Sequence, residues 1–261
     1  MELAGADVLI IESTYGNRLH PDIREAEDRL AAIINETVKR GGRVIIPAFA
    51  LGRTQDLLYT LSQLKVKGKI ADIPVYVDSP LATNATEIFR KHLECFDAET
   101  RALCQTEDPF GFSRLRYIRS ADESKKLNEL QGSMIIIGGS GMAEAGRILH
   151  HLKNNIGDPH NTVLIVGWQA DNTLGRKIQE GWESVPIYGE RYKLRAQVAV
   201  FNEFSGHADK NDLVGWVSKG KWRKIFVVHG EEKASLSLAE ALRETGYTDV
   251  VVPEVGEGFT L

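Results

Sequence analysis

Short runs of apolar, largely β-branched residues recur along this chain and constrain its fold more than any other feature. They are Val8–Ile11, Arg43–Ile46, Val75–Val77, Met134–Ile137, Val163–Val166, Ile225–Val228 and Val250–Val252. Most are apolar throughout rather than at alternate positions, the pattern of strands covered on both faces. Helical patterns lie between them. Ile23–Lys39 carries Leu30, Ile33, Ile34 and Val38 at helical spacing and stops at Gly41-Gly42. Others are Thr54–Leu64, Thr83–Leu93, Gly146–Lys153, Lys210–Val217 and Ser235–Glu244. Strand–helix alternation of this kind predicts an α/β fold with a mainly parallel sheet. No apolar run approaches the ~20 residues of a membrane-spanning helix.

Two regions break the rhythm. Asp97–Ser120 reads as an irregular loop with exposed aromatics around Asp108-Pro109-Phe110-Gly111-Phe112. Val185–Phe204 reads as antiparallel. There Arg191, Lys193, Arg195 and Gln197 alternate with Tyr192, Leu194, Ala196 and Val198, which puts a solvated basic stripe on one face.

Composition narrows the function classes. The chain has 261 residues, 43% of them hydrophobic and 26% charged, enough for a large core and unlike a disordered chain. Its 32 Lys and Arg against 36 Asp and Glu leave a net charge of −4, which argues against a globally basic nucleic-acid coat protein. Cys95 and Cys104 form no CxxC and read as free thiols of a reducing compartment, with cytoplasm as the expected location. The start, Met1 to Asp7, lacks the basic and apolar regions of a secretory signal.

The turn Gly138-Gly139-Ser140-Gly141-Met142 follows a strand and leads toward a helix, a setting that can aim backbone N–H groups at an anion. It fails the dinucleotide fingerprint at Glu144, and it fails the P-loop at Arg147 and Ile148. Two readings stay open: a turn that holds one phosphate, or a tight turn needing glycine for its backbone angles. The histidines include no HExxH and no HxHxDH. His150 and His151 sit about 100° apart on a helix and read as a solvated helix end. His207 lies in Phe204-Ser-Gly-His-Ala-Asp209, where Asp209 can fix a ring nitrogen or cap the next helix. His229 and Glu12 each directly follow an apolar run, where open α/β sheets place their ligands. Three titratable residues at such positions point to one site.

These segments together resemble the β-CASP family of RNA-processing nucleases within the metallo-β-lactamase superfamily. The resemblance rests on Glu12-Ser-Thr-Tyr-Gly16, Pro47-Ala-Phe-Ala-Leu-Gly-Arg53, Asp78-Ser-Pro80, Ser140-Gly-Met142, Gly167-Trp-Gln-Ala170, Thr173-Leu-Gly-Arg176, Phe204-Ser-Gly-His-Ala-Asp209 and His229-Gly-Glu231. Each piece is weak alone; their order and spacing are specific.

The resemblance implies a mainly parallel β-CASP domain at 17–204, inserted in a partial metallo-β-lactamase αββα sandwich formed by 1–16 and 205–261. It implies that His229 is a zinc ligand, that His207 faces the scissile phosphate, and that Glu12 supports His207 by hydrogen bonding. Two zinc ions serve the full-length family, but the HxHxDH motif and further ligands precede Glu12 there and have no counterpart here. The chain is therefore expected to be the downstream part of a zinc-dependent ribonuclease, to bind zinc poorly by itself and to be inactive alone. Single-stranded RNA is the expected partner, with a homodimer covering exposed apolar faces and no membrane association. Arg53, Ser140, Gly141, Arg147 and Arg176, at helix starts or in the glycine turn, are the expected substrate contacts. Arg114–Arg119 interleaves cations with an aromatic and reads as solvated. The alternatives are an inactive RNA-binding or assembly subunit, and an unrelated α/β nucleotide-binding domain, against which the failed glycine fingerprints count.

Overall fold

The computed structural model describes residues 6–20 and 23–260; Met1–Gly5, part of the stretch read for a secretory signal, lies outside the described residues. In chain order the elements are β1 (Val8–Glu12), α1 (Ile23–Lys39), β2 (Val44–Pro47), α2 (Arg53–Val66), β3 (Val75–Asp78), α3 (Pro80–Lys91), a 3-10 turn (Leu93–Cys95), α4 (Ala98–Leu103), β4 (Leu115–Tyr117), α5 (Ala121–Leu127) and β5 (Ile135–Gly138). There follow α6 (Ile148–Asn155), β6 (Thr162–Val166), α7 (Leu174–Gln179), β7 (Ser184–Ile187), β8 (Glu190–Lys193), β9 (Gln197–Phe201), α8 (Lys210–Val217), β10 (Lys224–Val228), α9 (Glu232–Glu244) and β11 (Val250–Val251). The fold is α/β with mainly parallel sheets. Two compact units emerge, Asp22–Phe204 and the pair Met1–Pro21 with Ser205–Leu261.

The Asp22–Phe204 unit is built on a six-stranded sheet in the order β4-β3-β5-β2-β6-β9, parallel at every pairing. Alternate residues of its strands feed two cores. Val44, Ile46, Val77, Ile135 and Ile137 pack with Leu30, Ile34, Leu57, Leu61 and Leu64 of α1 and α2. Ile45, Ile136, Val163 and Ile165 pack with Ile148, Leu152 and Ile178 of α6 and α7. Burial on both faces is why these strands read as continuous apolar runs. Each such side chain contributes roughly 1.5–3 kcal/mol on burial. Asp78-Ser79-Pro80 ends β3 and starts α3, with Ser79 Oγ accepting from the Ala82 N–H and Pro80 at the first helical position.

The other unit holds a three-stranded parallel sheet, β1-β10-β11. Leu9, Ile11, Ile225 and Val227 form its core with Leu213 and Val217 of α8 and Leu238 and Leu242 of α9. Among the described residues, no helix is long and apolar enough to cross a membrane.

Two expectations need correction. Asp97–Ser120 is not an exposed aromatic loop. It contains α4 and the edge strand β4, and Phe110 is buried against Phe89 and Phe96. The Arg90 guanidinium and the Tyr117 hydroxyl both donate to the Phe110 carbonyl, so the turn is tied inward. In Val185–Phe204, β7 and β8 do pair antiparallel, but β9 leaves the hairpin and pairs parallel to β6. The period-two pattern is the same for both pairings, so it could not choose between them.

Candidate metal and phosphate site

Parallel pairing of β1 and β10 sets Glu12 opposite Val228, which places His229 one residue past the strand end. His207 arrives on the turn before α8, whose N-cap Asp209 accepts from the Asp212 N–H. Potential ligand atoms of Glu12, His207 and His229 all lie within 4.8 Å of one another. Nδ1 of His207 lies 2.7 Å from Glu12 Oε2, and the two histidine rings are 5.6 Å apart. Burial pulls the Glu12 carboxyl upward, but hydrogen bonding from Thr14 and the charge and hydrogen bond of His207 outweigh it. The group sits below its ordinary value and is ionised at neutral pH. His229 adopts a left-handed backbone with φ of 51°, uncommon for a non-glycine residue. The His229 imidazole is a donor that suits zinc, and the Glu12 carboxylate adds negative charge beside it, so the residues present fit such an ion.

The residues that hold this cluster were not assigned roles from sequence. Ser13 Oγ donates to the Val228 carbonyl at 2.8 Å, and Thr14 Oγ1 lies 3.1 Å from both the His229 carbonyl and its Nδ1. His20 Nε2 lies 2.7 Å from the His207 carbonyl, and its backbone N–H donates to Asp209. Ser13 and Thr14 follow Glu12 directly, which was the available signal. His20 gave none, because its partner is far away in sequence.

The expected RNA contacts belong to the Asp22–Phe204 unit, and each has a defined place. Ser140 Oγ accepts from the N–H groups of Glu144 and Ala145, folding the glycine turn back on itself. Gly141 lies so close to Phe49 that a Cβ there would stand 2.7 Å from the ring. The Arg147 guanidinium donates to Asp78 Oδ1 at 2.7 Å and to the carbonyls of Ile118 and Arg119. Ser140 and Arg147 line one cavity of about 520 Å³ with Phe49, Ser79 and Leu81, at the C-terminal ends of β2, β3 and β5. Arg53 and Arg176 are not among the residues lining that cavity. Arg53 pairs with Asp56 and lies over Phe204, and Arg176 pairs with Glu180. α7 nonetheless packs on the glycine turn: the Gly175 N–H donates to the Met142 carbonyl, and Gln169 Nε2 donates to that of Gly141.

Asp78, which also lines the cavity, anchors a buried polar cluster. Asp78 and His151 are both fully buried, with Nε2 of His151 2.7 Å from Asp78 Oδ2. Ser124 donates to the same oxygen, and His151 Nδ1 meets Asn128 Oδ1. The solvated helix end expected for His150-His151 therefore holds for His150 alone. The roughly 100° between neighbouring helical residues points the two rings to different environments, and the buried carboxylate supplies His151 with the partner burial demands.

A family model described as the Beta-Casp domain matches residues 54–178, and one described as the Zn-dependent metallo-hydrolase RNA specificity domain matches 191–253. The chain is 37% identical over 254 residues to ribonuclease TTHA0252 of Thermus thermophilus, covering 97% of this chain and 58% of that protein. It is 37% identical over 254 residues to an RNase J-like protein of Methanocaldococcus jannaschii, covering 96% and 58%. It is 34% identical over 247 residues to the transcription termination factor FttA of Methanosarcina mazei, covering 90% and 39%. This chain belongs to the β-CASP family of the metallo-β-lactamase superfamily. It spans between about two fifths and three fifths of the length of these curated relatives.

Proposed function

We propose that this chain is part of a zinc-dependent ribonuclease that hydrolyses phosphodiester bonds in single-stranded RNA. The observation that carries the reading is the convergence of Glu12, His207 and His229 within 4.8 Å. His229 is assigned as a zinc ligand, within the two-ion arrangement of the family. When bound, zinc supplies positive charge that stabilises the phosphate oxygens as charge builds on them. His207 is the proton carrier. Glu12 occupies its Nδ1 and fixes the ring, leaving Nε2 to donate to a phosphate oxygen or to protonate the leaving oxygen.

Residues 17–204 are assigned to the β-CASP domain, and 1–16 with 205–261 to the metallo-β-lactamase domain. The break between compact units after Pro21 and Phe204 supports this division. Ser140, Gly141, Arg147, Arg53 and Arg176 are assigned to RNA binding. Support comes from the cavity shared by Ser140 and Arg147, where Asp78 already holds the Arg147 cation, so little side-chain freedom is lost on meeting a phosphate. A cytoplasmic homodimer completes the reading.

The test is turnover of single-stranded RNA with Zn²⁺ by a protein carrying this chain. His207→Ala should lower the rate by about 10²–10⁴-fold at unchanged zinc content. An unchanged rate removes His207 from the mechanism. RNA binding with no turnover under any metal loading would favour the inactive assembly subunit instead.

A further inference from the structure

Thr14 is 5% exposed and sits between Glu12 and the end of β10. Its hydroxyl oxygen is 3.1 Å from the His229 carbonyl and 3.1 Å from His229 Nδ1. The hydroxyl has one hydrogen to give. The carbonyl can only accept, so it takes that hydrogen. The contact to Nδ1 is satisfied alongside it in one arrangement: Nδ1 carries a proton and donates it to the threonine oxygen. In the neutral ring this leaves Nε2 with its lone pair free.

Two further contacts keep this arrangement in register. Ser13 Oγ donates to the Val228 carbonyl, and the Ser13 N–H to the His229 carbonyl, so the backbone carrying the imidazole is held on both sides of the peptide unit. The left-handed φ of 51° at His229 lifts the chain out of the strand direction at this point. Gly230 leaves room for it, since a Cβ there would stand 2.4 Å from Ser13 Oγ.

We propose that Thr14 is a positioning residue that fixes the neutral His229 ring as its Nδ1–H tautomer and so presents Nε2 to the metal. This rests on the reading of His229 as a zinc ligand. A partner that holds one ring nitrogen of a metal-binding histidine sets which nitrogen is the ligand and how the ring is turned. A free neutral imidazole side chain favours the opposite tautomer, so the threonine reverses an intrinsic preference rather than reinforcing it.

The experiment is long-range ¹H–¹⁵N correlation of the histidine rings in the metal-free form of a full-length protein carrying this chain, at a pH about two units above the ordinary imidazole value. Wild type and Thr14→Ser are expected to show His229 protonated at Nδ1, and Thr14→Val to show it mainly protonated at Nε2. Zn²⁺ affinity read at the His229 resonances should fall about 10–100-fold in Thr14→Val and recover in Thr14→Ser. The wild-type spectrum decides even where Thr14→Val fails to fold: Nε2–H at His229 overturns the proposal. So does a folded Thr14→Val whose tautomer is unchanged. If His229 is Nδ1–H but its resonances do not respond to Zn²⁺, the metal half of the proposal falls while the tautomer half stands.

Discussion

Replacing Asp78 by alanine removes, in one step, the acceptor for three side chains on two segments, α5 and the start of α6. Asp78 Oδ2 serves Nε2 of His151 and the hydroxyl of Ser124, and Oδ1 serves Arg147. Asp78 and His151 are fully buried, so His151 loses its protein partner in a site without solvent exposure, whereas Arg147 is 21% exposed and keeps the carbonyls of Ile118 and Arg119. Each buried group left without a partner costs about 1–3 kcal/mol, and breaking a buried pair from one side costs about 3–5 kcal/mol. Asp78→Ala should therefore cost about 3–5 kcal/mol, most of it at His151 and Ser124. For a unit of this size each kcal/mol moves Tm by about 2–4 °C, so the loss should be about 6–20 °C. Arg147→Ala leaves Oδ2 fully paired and should cost less, about 1–3 kcal/mol. Thermal and urea unfolding at neutral pH, followed by circular dichroism, measures both variants. A loss below about 2 °C for Asp78→Ala, or a larger loss for Arg147→Ala, would show that this cluster does not hold the cavity wall together as argued.

The same carboxylate sets an acid limit. Burial pushes the Asp78 carboxyl up, but hydrogen bonds from His151, Ser124 and Arg147 outweigh burial and hold it below its ordinary value. Its contribution is thus complete above the unfolded Asp value of about 3.9 and is lost as pH falls through the lower folded value. Urea midpoints attributable to this group, read as the wild type minus Asp78→Ala difference, should be flat from pH 7 to 5 and shrink below about pH 4; a difference that shrinks already above pH 5 contradicts the assignment. Gly42→Ala should destabilise by about 1–3 kcal/mol, because its Cβ would stand 1.8 Å from the backbone carbonyl of His160, which no rotamer change can relieve. An unaltered urea midpoint for that variant would mean that the turn after α1 shifts without cost.

The sequence by itself determined the order and type of most elements. Continuous apolar runs such as Ile135–Gly138 and amphipathic helices such as α1 carry their signal in neighbouring residues, so they can be read locally. Gly41 likewise announced its turn, with φ of 74° where α1 ends. The site was legible as three residues at strand ends, and the family resemblance supplied their expected roles.

Tertiary structure decided the partners. Whether β9 pairs parallel or antiparallel, whether Phe110 faces water or Phe89, and whether His151 is solvated or buried on Asp78 depend on chain segments brought in from elsewhere. Asp78 and His151 lie 73 residues apart, and Thr14 and His229 lie 215 apart. Periodicity reports which face of an element is apolar, because burial acts on each element separately. A hydrogen bond needs two particular atoms within about 3 Å, and the strand register that brings them there belongs to the folded chain as a whole.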